Sequence, residues 1–370
     1  MQDKATHGGD FFQAIGVDLG SLERADEVIS ADVLDAWYDP SPRVLEQIHA
    51  HLAFLVRTSP PTHAEGLKAA IAASRDISPE NIVVGAGTSS LMFTVLPELV
   101  GPGDHVVLLD PSYGEYRHIF ENVIPCRTSF LELQPREGFS VDVNALADLA
   151  SEAKLIILVN PNSPTGVCSK RIDLQRLLSL LEPETRVWID ETYIDFVSGH
   201  ESMEDLVAMD SRIIIAKSMS KFYALSGLRL GYLVLSTELA ARIERATPPW
   251  NIGLVAQLAG VLAIDDPYYP RKVAETHQLR SALVTGLEGL GLHAFQSETN
   301  FVLCRLPNGS AHQLVQLCAK DKVFIRDCGS ISHRFEDSYV RIAVKPQNQL
   351  ELILRTIGTH LREAGITPTP

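Results

Sequence analysis

The sequence predicts an α/β protein built on a mostly parallel sheet with helices on both faces, followed by a smaller α+β unit. Three observations carry that prediction. Between residues 79 and 235, six short apolar runs alternate with helical stretches, and each run is nearly continuous, as strands buried on both faces are. From about residue 247 to 291 the pattern is helical, and three shorter strand-like runs and a closing helix follow. The 370 residues also exceed what one ordinary core holds. The expected division is an N-terminal arm and helix over 1–56, a large α/β domain over 57–250, and a linking helix with a small α+β domain over 251–370.

Taken in order, residues 1–30 have little periodicity and read as a surface arm or a short first helix. Ser41 and Pro42 supply a cap and a first helical position for a helix over 42–55. Val44, Ile48, Leu52 and Leu55 share one face of that helix, which is expected to pack with the smaller unit. The stretch Arg57-Thr58-Ser59-Pro60-Pro61-Thr62-His63 is too rich in proline for a regular element. A helix over 64–74 follows. The strand runs are then Asn81-Ile82-Val83-Val84, His105-Val106-Val107-Leu108-Leu109, Leu155-Ile156-Ile157-Leu158-Val159, Arg186-Val187-Trp188-Ile189, Ile213-Ile214-Ile215 and Gly231-Tyr232-Leu233-Val234-Leu235. Later runs are Phe301-Val302-Leu303-Cys304, Val323-Phe324-Ile325 and Val340-Arg341-Ile342-Ala343-Val344, before a helix with Leu350, Ile353, Leu354, Ile357 and Leu361 at helical spacing. The last residues, 367–370, are expected to fray.

Composition narrows the function. A formal net charge of −14 argues against nucleic-acid or anionic-membrane partners, which need basic surface. Residues 1–10 carry neither an apolar core nor a basic leader, so no signal peptide is expected, and no apolar run approaches the ~20 residues of a membrane span. Cys126, Cys168, Cys304, Cys318 and Cys328 are odd in number, widely spaced and without a CxxC pair. That usage fits reduced thiols of a cytoplasmic protein, with no disulfide framework and no metal site.

Chemistry-bearing residues collect at the ends of the strand runs, where open α/β sheets bind ligands. The run 213–216 leads into Lys217-Ser218-Met219-Ser220-Lys221, with Arg229 eight residues beyond Lys221. A lysine there serves either as a solvated strand end or as a Schiff-base amine, with Ser218, Ser220 and Arg229 suited to a phosphate. The run 82–84 leads to Gly85-Ala86-Gly87-Thr88-Ser89-Ser90 and a helix start, a plain glycine turn or an anion site. A dinucleotide site is the rival use; Asp110 ends the next strand, but Ser90 stands where a third glycine belongs. Tyr113 follows Asp110, placed either in the core or flat on an aromatic ring. The turn Asn160-Pro161-Asn162-Ser163-Pro164-Thr165-Gly166 presents an asparagine amide, and Asp190-Glu191-Thr192-Tyr193 puts an acid at a buried strand end. That acid needs a partner, a helix N-terminus or a pyridinium N–H.

Together, the 160–166 turn, Asp190-Glu191-Thr192-Tyr193 and Ser218-Met219-Ser220-Lys221 with Arg229 resemble the fold-type-I pyridoxal-phosphate-dependent aminotransferases, of class I/II. The chain is most similar to their histidinol-phosphate aminotransferase and threonine-phosphate decarboxylase subgroup, from about residue 34 to 362. The resemblance implies a seven-stranded, mostly parallel sheet, pyridoxal 5′-phosphate as cofactor, and a homodimer with its site at the subunit boundary. It implies that Lys221 forms the internal aldimine, Asp190 pairs with the pyridine nitrogen, and Tyr193 with Asn162 holds the ring hydroxyl. Tyr113 is implied to stack on the ring, Gly87, Thr88, Ser89, Ser218, Ser220 and Arg229 to bind the cofactor phosphate, and Arg326 and Arg341 to hold the substrate.

This chain departs from the subgroup in three places. Ser163 stands where an asparagine usually precedes Pro-Thr-Gly, Leu34-Asp35-Ala36-Trp37 replaces Asn-Glu-Asn-Pro, and the 57–63 stretch lacks a tyrosine that crosses the dimer interface. These segments border the substrate, which makes Trp37, Tyr38, His63 and Trp250 candidates for an altered pocket. The expected reaction is transamination of an amino acid or amino-phosphate, possible in specialised metabolism, through a quinonoid intermediate. The alternative is a lyase or a carbon–carbon-forming enzyme using the same carbanion. A non-catalytic regulator on this fold is disfavoured, because it would lack the lysine or carry a fused DNA-binding helix pair.

Overall fold

The computed structural model describes residues 8–199 and 201–367. Its main sheet has seven strands, lying across the molecule in the order Ile82–Gly85, Gly231–Val234, Ile213–Ser218, Arg186–Asp190, Leu155–Val159, His105–Asp110, Arg127–Glu132. Six run parallel; Gly231–Val234 is antiparallel to both its neighbours.

The continuous apolar runs follow from the pleat, because alternate residues point to opposite faces and both faces are covered. Ile213 and Ile215 join one core, while Ile214 and Ala216 join the other. Val187 and Ile189 are split from Trp188 in the same way, and Trp188 is wholly buried. The strand Arg127–Glu132 is the one that apolar runs do not reveal. It lies at the sheet edge with one neighbour and is partly exposed along its length, so it needs no apolar run and has polar residues at both ends.

A four-stranded antiparallel sheet follows, in the order Arg326–Asp327, Tyr339–Ala343, Phe301–Arg305, His293–Ala294. The helical stretch before it divides into Leu254–Ala263 and Tyr268–Gly289, interrupted at Asp265-Asp266-Pro267. The helix Pro42–Arg57 is capped by Ser41, whose Oγ accepts from the Val44 amide at 3.3 Å. It packs on Leu254–Ala263 and buries Val44 and Leu55, but Leu52 faces away and is 48% exposed, contrary to its expected place on the buried face. Residues 8–30 hold two short helices, Phe11–Ile15 and Leu22–Glu27; residues 1–7 of the expected arm and 368–370 of the expected frayed end lie outside the described residues.

One long-range connection positions the site. Ile29–Ser30 pairs in parallel with Val323–Phe324, the Ala31 carbonyl accepts from the Ala343 amide at 2.9 Å, and the Leu34 carbonyl accepts from Asn300 Nδ2 at 3.0 Å. The N-terminal segment is thereby stitched to the smaller sheet and led to the ends of the large one.

Gly231 sits where the antiparallel strand passes that end. A Cβ there would lie 2.9 Å from the Thr88 amide nitrogen and 3.0 Å from the Lys217 carbonyl oxygen, both rigid backbone. Gly231→Ala is therefore expected to destabilise the fold by about 1–3 kcal/mol, read as a lower denaturation midpoint at unchanged slope.

Candidate active site

A cavity of about 870 Å³ opens at the carboxyl ends of the parallel strands. Its wall carries Thr88, Ser89, Tyr113, Asp190, Tyr193, Ser218, Ser220, Lys221 and Arg229 from the large sheet, and Arg326 and Arg341 from the smaller one. Gly87 and Asn162 are not on it. Gly87 lies behind the wall at a φ of +85°, as the cap of the helix Thr88–Leu99, and a Cβ there would meet the Arg229 guanidinium at 2.8 Å. The absence of a side chain lets Arg229 lie against the helix start, whose free N–H groups favour an anion. Arg229 itself holds a left-handed φ of +52° and donates to the Ser226 carbonyl at 2.9 Å. Strain of that kind at a non-glycine residue marks a position held by its surroundings.

Asp190 ends its strand fully buried. Thr192 donates to Oδ1 from its amide at 3.0 Å and from its hydroxyl at 2.6 Å, and the Tyr116 hydroxyl donates to Oδ2 at 2.8 Å. Trp188 Nε1 donates in turn to the Tyr116 oxygen at 2.8 Å. Burial lifts the Asp190 carboxyl above its ordinary range, against the pull of these hydrogen bonds. An acid so placed gains from a cationic N–H in the cavity. Burial also raises Tyr193 and pushes the Tyr113 hydroxyl up to about 12, so both keep their protons.

The two arginines stand directly opposite each other on adjacent strands. Arg341 is 9% exposed and Arg326 8%. Arg341 donates to Ser163 Oγ at 3.2 Å and to the Asp32 carbonyl at 3.0 Å, while its Nε, buried, has no hydrogen-bond partner among the described residues. Like charges facing across a ladder repel, and burial weakens their hydration. Such a pair is suited to an anion.

Asn162, expected to hold the ring hydroxyl, lies off the cavity wall. Its Nδ2 donates to the Pro111 carbonyl at 2.9 Å and to Thr165 Oγ1 at 3.1 Å, and its Oδ1 accepts from Ser112 at 2.8 Å. A buried amide must satisfy its own groups, and here they are spent holding the turn. Ser163 reaches the cavity instead. Trp37, Tyr38, His63 and Trp250 do not line it either. Trp37 donates to Thr276 at 2.8 Å, Tyr38 to the Phe222 carbonyl at 2.7 Å, and His63 and Trp250 are exposed. Asp110, the residue a ribose would need, is occupied by Ser332 Oγ at 2.7 Å and Arg117 at 3.1 Å. Burial pushes the Cys328 thiol up to about 12, which makes it inert.

Tyr116, Thr192, Ser163 and Asp35 are the residues that sequence reasoning left without a role. Asp35 Oδ1 is 2.8 Å from Lys221 Nζ. The departures at 34–37 and 163 were the available signal; the contacts of Tyr116 cross 74 positions and leave no local trace.

Residues 31–357 match the family described as Aminotransferase class I and II. The chain belongs to that family. Among curated relatives, the enzyme is 34% identical over 284 residues to "Histidinol-phosphate aminotransferase 2" of Caulobacter vibrioides, covering 75% of this chain and 74% of that one. It is 31% identical to histidinol-phosphate aminotransferase of Symbiobacterium thermophilum, covering 79% and 80%. The crystal structure of histidinol-phosphate aminotransferase from Clostridium acetobutylicum shares the fold with a TM-score of 0.81 at 24% identity, over 90% of this chain and 99% of that one. L-threonine-O-3-phosphate decarboxylase from Porphyromonas gingivalis does so with a TM-score of 0.76 at 23% identity, over 88% and 98%.

The cofactor of this enzyme is pyridoxal 5′-phosphate. The residues present fit it: a cradle at Gly87 and Arg229 closed to any larger side chain, hydroxyls at Thr88, Ser89, Ser218 and Ser220, and a buried carboxylate at Asp190.

Behind this wall lies a buried ionic cluster. Lys217, next to Ser218, is 3.0 Å from Glu191 and 3.8 Å from Glu204, and Arg75 is 3.0 Å from Asp195. Burial favours the neutral Asp195, but the charges of Lys217 and Arg75 outweigh it and hold the carboxyl below its usual range. An acid with a lowered folded pKa contributes stability above its unfolded value, about 3.9, and loses it as pH falls through the folded one. Arg75→Met, which removes the cation bonded to that acid and leaves only the charge of Lys217 to offset its burial, is expected to cost about 3 kcal/mol at neutral pH. In denaturation curves the gap to wild type should close as pH drops below about 4.

Proposed function

We propose that this aminotransferase takes the amino group of an amino acid or amino-phosphate, a substrate carrying a carboxylate or phosphate that Arg326 and Arg341 grip. The observation that carries the proposal is the facing pair of buried arginines on the wall shared with Lys221 and Asp190. A planar guanidinium binds either anion through two parallel hydrogen bonds. The names of the relatives favour an amino-phosphate such as histidinol phosphate.

Lys221 is assigned as the residue that carries the cofactor and moves a proton at the substrate α-carbon. Thr88, Ser89, Ser218, Ser220 and Arg229 are assigned to the cofactor phosphate, with Gly87 leaving room for Arg229. Tyr113 is assigned to the ring face and Tyr193 to the ring oxygen. Asp190 is assigned to the ring nitrogen, where its negative charge keeps a proton in place. When bound, pyridoxal phosphate supplies the electron sink for the α-carbanion, and the protein supplies orientation and protonation states.

A homodimer is also proposed. The exposed Phe54 and Val56 at the end of the helix Pro42–Arg57 support it, as does Trp250, 58% exposed, whose amide donates to the Thr62 carbonyl at 3.0 Å. Among the described residues no helix is long and apolar enough to cross a membrane, and the five free thiols support a cytoplasmic setting.

Purified enzyme is expected to show the visible absorption of the bound cofactor, and Lys221→Ala to lose it. Adding histidinol phosphate or amino acids singly should convert the cofactor stoichiometrically to its amine form with release of a keto product. Products of elimination or decarboxylation would overturn the transferase reading. Arg341→Ala is expected to weaken kcat/KM for anionic substrates by about 1.5–3 kcal/mol; an unchanged value would make that arginine structural.

A further inference from the structure

Asp35 reaches the catalytic lysine by a route of its own. The segment from Ile29 to Leu34 is stitched to the smaller sheet, as described above, and delivers the next residue beside the loop after Ile213–Ser218. There Asp35 Oδ1 and Lys221 Nζ are 2.8 Å apart, with the lysine side chain 19% exposed and the carboxylate 46%. Burial disfavours the charged carboxylate, but the Lys221 charge and hydrogen bond, the Ser226 hydroxyl and the Lys345 charge outweigh it. Lys345 is itself buried, and it faces Asp35, Asp32 and Lys221. Tyr193 also feels the Asp35 charge. These are the charged and titratable groups that meet around the pair.

We propose that Asp35 is a positioning residue, the counter-ion of the Lys221 nitrogen both as a free ammonium and when that nitrogen is joined to the aldehyde carbon of the cofactor. A carboxylate in hydrogen-bond contact favours the protonated form of whichever nitrogen it faces. Were the cofactor joined there, a protonated nitrogen would be the form open to displacement by an incoming amine, and Asp35 would hold that proton in place. No proton is gained or lost overall; Asp35 fixes where one resides. The proposal rests on Lys221 as the cofactor-bearing lysine.

The test is a pH titration of the visible absorption of the purified holoprotein. Asp35→Asn is expected to lower the midpoint by at least half a pH unit, a threefold or greater change in the protonation equilibrium, and a smaller shift overturns the proposal. Asp35→Glu, which keeps the charge, should titrate with wild type; a Glu protein that titrates with the Asn protein overturns it. Lys345→Met removes a competing cation and should raise the midpoint, and the absence of a rise also overturns it. Wild-type protein that binds pyridoxal phosphate without forming the band defeats the assignment of Lys221 itself, a failure separate from that of Asp35.

Discussion

A charged group can be taken out of water only where something else holds its charge, and this molecule repeatedly meets that condition at the carboxyl ends of its strands. Asp190 is the central instance. It is delivered by a strand whose three preceding residues, Val187, Trp188 and Ile189, are apolar and buried on both faces, so it is pulled into the interior by its neighbours. Three donated hydrogen bonds stabilise its ionised form, yet burial still works against it. The next residue, Glu191, enters the ionic cluster with Lys217 under the adjacent strand end. The two central strands are thus tied together by charge as well as by backbone pairing.

The proposed chemistry draws on groups that one sheet does not supply. Lys221, Asp190 and the hydroxyls come from the large sheet, while Arg326 and Arg341 come from the smaller one, and the cavity exists where the two meet. Ser163, whose hydroxyl accepts from Arg341, and Asp110, which accepts from Ser332, are polar contacts between the two sets of elements. The N-terminal segment crosses the same boundary, so a short stretch takes part in both scaffold and cavity wall, where Val33 and Leu34 lie.

Much of this was legible in the chain itself. The six apolar runs identify six strands because a strand buried on both faces leaves no alternation to confuse it; the edge strand Arg127–Glu132 is partly exposed and leaves almost no signal. Lys221, Asp190, Arg229 and the serines reach one cavity because motif and strand end coincide. For Asn162 a sequence shows that an amide is present but not that it bonds Pro111, Ser112 and Thr165 behind the cavity wall. Trp37 and Tyr38 belong to a segment that does approach the site, but their own polar tips are spent on Thr276 and Phe222. Tyr116 and Asp35 meet partners 74 and 186 positions away, distances over which residue type alone says nothing about contact.

The two-residue ladder between Ile29–Ser30 and Val323–Phe324 has a consequence out of proportion to its size. Only four residues, 31–34, separate this anchor from Asp35, so losing one of them would draw the carboxylate away from its present contact with Lys221. The spacing of a handful of residues near the beginning of the chain then decides which acid Lys221 meets.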